Sequence, residues 1–306
     1  MRTAFINTLL DLAEKNPKIF LIVGDLGFSV VEQFAERFPE RFLNAGVAEQ
    51  NMTGVAAGLA SEGYHVFTYS IANFPTFRCA EQIRNDIAYH GLPVTIVAVG
   101  GGVSYGNLGY SHHAVQDYAL MRTMPQMTIA APGDPSETNA CLDWLVRSSG
   151  PSYLRLGKAG EPDFHLKPPS VRLGSLSMIK EASSKENLVL TTGAVLSYGI
   201  EFISFPEFNN WSLASVPLWG ESGRYDLARC LSSYKRIIVI EDHLYAGGFG
   251  SFVSETLAIS SMDHIDVRYV ALDVSVCGQV MKQQGLNEFG GLNLKHFRNV
   301  EQSLKR

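Results

Sequence analysis

The chain has 306 residues, 46% hydrophobic and 18% charged, so it can bury substantial cores and is long enough for about two domains. Its net charge of −5 gives no basic footprint for nucleic acid or for an anionic membrane surface. Four cysteines, Cys79, Cys141, Cys230 and Cys277, lie far apart without Cys-x-x-Cys or Cys/His ligand spacing, which fits a reducing cytoplasm and offers no metal-ligand pattern.

The opening residues, Met1-Arg-Thr-Ala-Phe-Ile-Asn, read as an amphipathic helix rather than a signal peptide, and no apolar run approaches the roughly 20 residues of a membrane span. Apolar runs at 19–23, 65–70, 94–99 and 127–131 predict buried strands. They alternate with helical patterns near 30–38, 49–62, 76–90, 114–123 and 135–149, the order of a parallel α/β domain. The segment 157–170 contains three prolines and little apolar periodicity, so it is expected to link this domain, residues 1–156, to a second one over 171–306. There, strands near 188–192, 211–216, 236–241 and 266–271 alternate with helices near 194–205, 225–233 and 249–260. From Gly285 onward a sparse leucine pattern predicts a segment wrapping one surface.

Within the first domain, Phe42 and Leu43 read as a short strand ending at Asn44-Ala-Gly, which sets Glu49 just beyond a strand's carboxyl end. Ligand crevices of open α/β sheets lie at such ends. An acidic residue in the first turn of a helix also simply complements the helix dipole. Gly54, Ala57, Gly58 and Ser61 share one face of that helix. Glycine costs a helix about 1 kcal/mol relative to alanine, so a close neighbour is expected there. Phe74 and Phe77 fall in a strand-to-helix turn, where aromatic rings either stack on a flat heterocycle or pack in the core. Gly100-Gly-Gly102 with Gly106 and Gly109 matches neither a dinucleotide fingerprint nor a P-loop. Ser111-His112-His113 closes that loop and suits either one imidazole facing a substrate oxygen or a hydrogen-bonded loop histidine. Gly247-Gly-Phe-Gly250 opens a helix, as an anion cradle or as a tight turn with close packing.

Together these segments resemble the C-terminal half of transketolase, and specifically the separate small subunit of split transketolases. The most specific parts are Gly46-Val-Ala-Glu-Gln-Asn-Met52, Ala80-Glu-Gln-Ile-Arg-Asn85, Ser111-His112 followed by Asp117 and Ala119-Leu-Met-Arg122, and Tyr153-Leu-Arg-Leu-Gly-Lys158. Glu241-Asp-His243 and the glycines at 247–250 look like that family's C-terminal domain. The resemblance implies a two-domain α/β fold, a pyrimidine-binding domain followed by a transketolase C-terminal domain, and thiamine diphosphate as cofactor. It gives Glu49 the aminopyrimidine ring nitrogen, Phe74 the stacking face of that ring with Phe77 as a second, cofactor-binding aromatic nearby, and Asp25 a cofactor-side position. Ser29 and Arg155 match sugar-phosphate positions, and His112 matches a histidine on substrate oxygens.

The metal that accompanies the diphosphate requires a Gly-Asp-Gly motif from the family's other domain, and this sequence has none. Magnesium is therefore expected mainly on a separate N-terminal subunit, with an α2β2 assembly. Departures cluster near the substrate. Asn107 and Leu108 replace an acidic pair, Gly100 replaces a histidine and His113 replaces a glutamine. Leucine accepts no hydrogen bond, so the sugar or sugar phosphate is expected to differ from the ordinary pentose phosphates. The competing readings are a thiamine-diphosphate enzyme using a 2-oxo acid, either deoxyxylulose-phosphate-synthase-like or a 2-oxo acid dehydrogenase small subunit, and a non-catalytic assembly module.

Overall fold

The apolar runs fold as strands buried on both faces, as parallel sheets require when helices cover each side. A computed structural model describes residues 1–158 and 160–304. The strands are β1 (Ile19–Val23), β2 (Phe42–Asn44), β3 (His65–Ile71), β4 (Val94–Val99), β5 (Thr128–Ala130), β6 (Ser152–Leu156), β7 (Ser177–Lys180), β8 (Asn187–Thr191), β9 (Trp211–Ser215), β10 (Leu218–Trp219), β11 (Arg236–Leu244) and β12 (Asp266–Leu272). They form a seven-stranded sheet ordered β10-β5-β6-β4-β3-β1-β2 and a five-stranded sheet ordered β12-β11-β8-β9-β7.

Alternation along the strands separates two cores. Ile22, Val66, Ile96 and Ala98 face Met52, Ala56 and Ala60 of the helix Glu49–Ser61. Leu21, Val23, Phe67, Tyr69, Val97 and Val99 face the helix Arg2–Lys15 through Phe5, Ile6, Leu9, Leu10 and Ala13. The first core continues without a break through Tyr118 and Trp219 into Leu188, Leu190, Ile237 and Val239 of the second sheet. A third core joins β8 and β11 to the terminal helices Gln283–Phe289 and Leu294–Gln302 through Leu286 and Phe297.

The sheets depart from the all-parallel expectation at their edges. β7 runs antiparallel to β9, and β10, which comes from the second half of the chain, runs antiparallel to β5. The helix expected over 76–90 is instead three pieces, Phe74–Phe77, Ala80–Gln82 and a π-turn at Ile83–Ala88. The segment 157–170 has no helix or strand among its described residues, yet it is tied down. The Phe164 N–H donates to Asp134, His165 Nδ1 lies 2.6 Å from Asp134 Oδ2, and Glu161 pairs with the Met1 amine. Among the described residues no helix is long and apolar enough to cross a membrane.

Candidate active site

Parallel strands β1, β2 and β3 end together, and their carboxyl ends set the loops that carry most of the expected site residues. Glu49 opens the helix Glu49–Ser61 and is 4% exposed, where the helix dipole favours a negative charge. Gly24, just past β1, lies against it, since a Cβ there would sit 3.6 Å from Glu49 Cγ. A buried carboxylate needs a partner, and Arg78 supplies one: its Nη1 lies 3.2 Å from Glu49 Oε2.

The same guanidinium lies 4.3 Å from the centre of the Phe74 ring. His112 meets that ring edge-on with centroids 5.2 Å apart. Phe77 is half-exposed. Asn73 ties the two loops together by donating from Nδ2 to the Ser111 carbonyl at 3.2 Å, while its own Oδ1 is buried without a partner. A hollow of about 420 Å³ runs along Val47–Asn51 beneath Glu49. Another of about 360 Å³ lies between Phe74, Phe77, Tyr110 and Ser111, and Arg78 lines both.

Burial, His113 and Arg78 together hold the His112 imidazole below its ordinary pKa, so it is neutral at pH 7. His113 points inward: it is 1% exposed, with Nε2 3.4 Å from the Gly106 carbonyl. Asn107 stands exposed at the tip of the turn Gly106–Leu108. Asp25 and Ser29 are exposed in the loop after β1 with positive φ, 55° and 64°, an uncommon backbone state for residues other than glycine. Asn44 Nδ2 donates to Asp25 Oδ1 at 3.0 Å, and the Ser29 N–H donates to Glu32 at 2.7 Å.

Arg155 does not join this group. It is 3% exposed on β6, 2.7 Å from Asp117 and 2.5 Å from Asp242, and it also donates to the Tyr118 hydroxyl and the Ala114 carbonyl. Those two carboxylates raise its pKa against the effect of burial. Its donors are consumed in joining the two sheets, so the sugar-phosphate expectation for Arg155 is withdrawn. The glycines at 247–250 likewise cradle a carboxylate of the protein itself. Glu241 accepts the N–H groups of Phe249 and Gly250 at 2.6 and 2.9 Å, and burial pushes its pKa up to about 8. Asp134, Asp163 and His165 bring ligand atoms within 4.8 Å of one another, but hydrogen bonds to Glu137 N, Phe164 N, Ser136 and Ser177 already engage them.

Sequence reasoning overlooked Arg78, although its i,i+4 spacing from Phe74 places both on one helical face. It also missed the Asp117–Arg155–Asp242 network, for which spacing gives no signal.

The chemistry of the converging groups fits an aminopyrimidine: a buried carboxylate for a ring nitrogen, an aromatic face for stacking and an unpartnered amide oxygen. Comparison with known proteins agrees. The family described as "Transketolase, pyrimidine binding domain" matches residues 1–160. A solved structure described as "Split gene transketolase, inactive beta4 tetramer" superposes with a TM-score of 0.85 at 32% identity, covering 100% of this chain and 98% of that one. One subunit of the apulose-4-phosphate transketolase of Phocaeicola vulgatus is 31% identical over 281 residues, 89% of this chain and 86% of its own length. A 6-deoxy-6-sulfo-D-fructose transketolase subunit of Clostridium sp. is 29% identical over 303 residues, 97% and 92% of the two chains. With matches of this extent over both sheets, the chain belongs to the transketolase family and corresponds to the C-terminal subunit of a split enzyme.

Proposed function

We propose that this chain is the pyrimidine-holding half of a thiamine-diphosphate-dependent transketolase that moves a two-carbon ketol unit between sugars or sugar phosphates. The observation that carries the reading is the buried Glu49 carboxylate beside Phe74 at the strand ends, in a chain without Gly-Asp-Gly. Bound thiamine diphosphate would supply the carbon nucleophile that adds to a ketose carbonyl. Glu49 would hold a proton at the pyrimidine nitrogen, in the geometry of a general acid–base group, and the Phe74 ring would fix the plane. Neutral His112 would offer one imidazole nitrogen to a substrate oxygen, with Phe77 closing the ring side. Asp25, Ser29 and Asn107 would line the approach, and buried His113 would act through the loop it supports.

The diphosphate and its magnesium would be held by a partner N-terminal subunit. Three features support this: the missing motif, the exposed Phe28 and Val47 flanking the site, and the helix face at Gly54 and Gly58, where added Cβ atoms would meet nothing within 4 Å. The similar split-gene subunit described as an inactive β4 tetramer fits the same need, and α2β2 is the assembly proposed. Leu108, standing where the resemblance expects an acid, favours a donor other than an ordinary pentose phosphate. The two related subunits named for apulose-4-phosphate and for a sulfo-fructose illustrate such variation.

Calorimetric titration of thiamine diphosphate with Mg²⁺ into this chain, the partner, and their mixture tests the proposal. Binding by the mixture alone is expected, followed by ketose turnover in a screen of ketose and 2-oxo-acid donors. Absence of binding in the assembled mixture refutes the reading. Carbon dioxide release from pyruvate would replace the ketose donor by a 2-oxo acid.

A further inference from the structure

We propose that the Arg78 guanidinium is a built-in stand-in for the aminopyrimidine, occupying its place in the cofactor-free chain and giving way when the cofactor enters; this rests on the proposed function. A guanidinium is flat, carries N–H donors along its edge and stacks on aromatic faces. Arg78 presents both properties at once. Its edge donates to Glu49 Oε2 at 3.2 Å and it lies over the Phe74 ring at 4.3 Å. Those are the two groups assigned to the nitrogen edge and the face of the pyrimidine. One side chain thus engages both groups assigned to the ring.

The surroundings allow the exchange. Arg78 caps the short helix Phe74–Phe77 and its side chain is 51% exposed, so it can swing into solvent once its contacts with Glu49 and Phe74 are replaced. Glu49, by contrast, is 4% exposed and anchored at a helix start. The mobile partner is the arginine, and the fixed one is the carboxylate. Arg78 is also the wall shared by the hollows below Glu49 and beside Phe74, so its withdrawal joins them into one trough. Until then the pair shields a buried carboxylate that would otherwise be left uncompensated.

The test is cofactor affinity, read by calorimetry on the complex of this chain with its partner subunit, using thiamine diphosphate with Mg²⁺. Arg78→Met removes the competing guanidinium and keeps an apolar stem; it is expected to tighten binding about 5- to 10-fold. Arg78→Lys keeps the charge without the plane and should fall between. In a Glu49→Gln background the gain from Arg78→Met should vanish, because no pair remains to be broken. Should the methionine variant fail to assemble, Arg78→Ala is expected to show the same gain. Wild-type binding that Glu49→Gln weakens, but that Arg78→Met or Arg78→Ala leaves equal or weaker, overturns the stand-in while sparing the function proposed. No binding by wild type or by either variant overturns both.

Discussion

Replacing Arg155 by methionine deletes the cation that holds Asp117 and Asp242 together across the two sheets. Both carboxylates are buried, at 0% and 5% exposure, and lie 2.7 and 2.5 Å from the guanidinium. At an effective dielectric constant near 20, each pair attracts by roughly 6 kcal/mol before desolvation is counted. Desolvation offsets most of that in the intact protein, but deletion leaves two buried charges without their counterion, a loss of about 3–5 kcal/mol. The Tyr153 hydroxyl, donating to Asp117 at 2.6 Å, still satisfies part of that carboxylate after the deletion. With a urea slope of about 3 kcal/mol/M, a loss of about 4 kcal/mol lowers the unfolding midpoint by roughly 1.3 M. Trp219 is the natural reporter: it packs 5.3 Å from Tyr118, whose ring lies 4.3 Å from the Arg155 guanidinium. A midpoint shift below about 0.3 M, accompanied by selective weakening of a phosphorylated substrate, would refute the argument and return Arg155 to the substrate.

Glu49→Gln, nearly isosteric and leaving a half-exposed Arg78, should keep the thermal midpoint and lower turnover of the assembled enzyme by about 10²- to 10⁴-fold; turnover within twofold of wild type would remove Glu49 from the chemistry. The His165–Asp134 pair predicts a pH signature. Its hydrogen bond to Asp134 raises the His165 pKa, and His165, Glu137 N and Phe164 N overcome burial to lower that of Asp134. The histidine's contribution is complete below about pH 6.5 and fades as pH rises through its raised value, while the aspartate's is complete above about pH 4 and fades as pH falls through its lowered value. His165→Gln should therefore cost most near pH 5.5, about 1.5 kcal/mol or a few degrees in Tm, and little at pH 9. Scanning calorimetry showing the opposite trend would contradict the pairing. Gly248→Ala places a methyl group on Glu241 Oε2 and should cost about 1–3 kcal/mol in urea unfolding, since φ there is −73° and crowding alone is at issue; a neutral result would show that the cradle can expand.

Much of the fold is legible because its pattern is local. Ile19–Val23, His65–Ile71 and Val94–Val99 are runs whose burial on both faces follows from composition alone. Glu49 marks a helix start through its own position after Asn44-Ala-Gly. The segments that were not legible depend on partners distant in sequence. Ser152–Leu156 carries an arginine that a buried strand tolerates only because Asp117 and Asp242 arrive from elsewhere. Leu218–Trp219 is too short to show a period, and its partner strand Thr128–Ala130 lies far back in the chain, before the segment 157–170. The helix expected at 76–90 breaks where Phe74–Phe77 and the π-turn redirect the backbone, a choice set by packing over β3 and β4. At the site, the residue types marked the chemistry, but only the folded chain separates outward-facing Phe77 from inward-facing His113.

The crossing of β10 into the first sheet also sets a schedule for synthesis. β5 has its strand partner β6 once residue 156 is available, but its other edge waits for Leu218 and Trp219, which pair with Ala130 and Ile129. At about 5–20 residues per second, the interval between translation of the two pairing segments is several seconds. During that time a buried-type strand presents an open edge, the feature that invites pairing with another nascent chain. A ribosome pausing between residues 156 and 219 would lengthen the exposure, so codon usage over that stretch should govern soluble yield more strongly than usage elsewhere in the coding sequence.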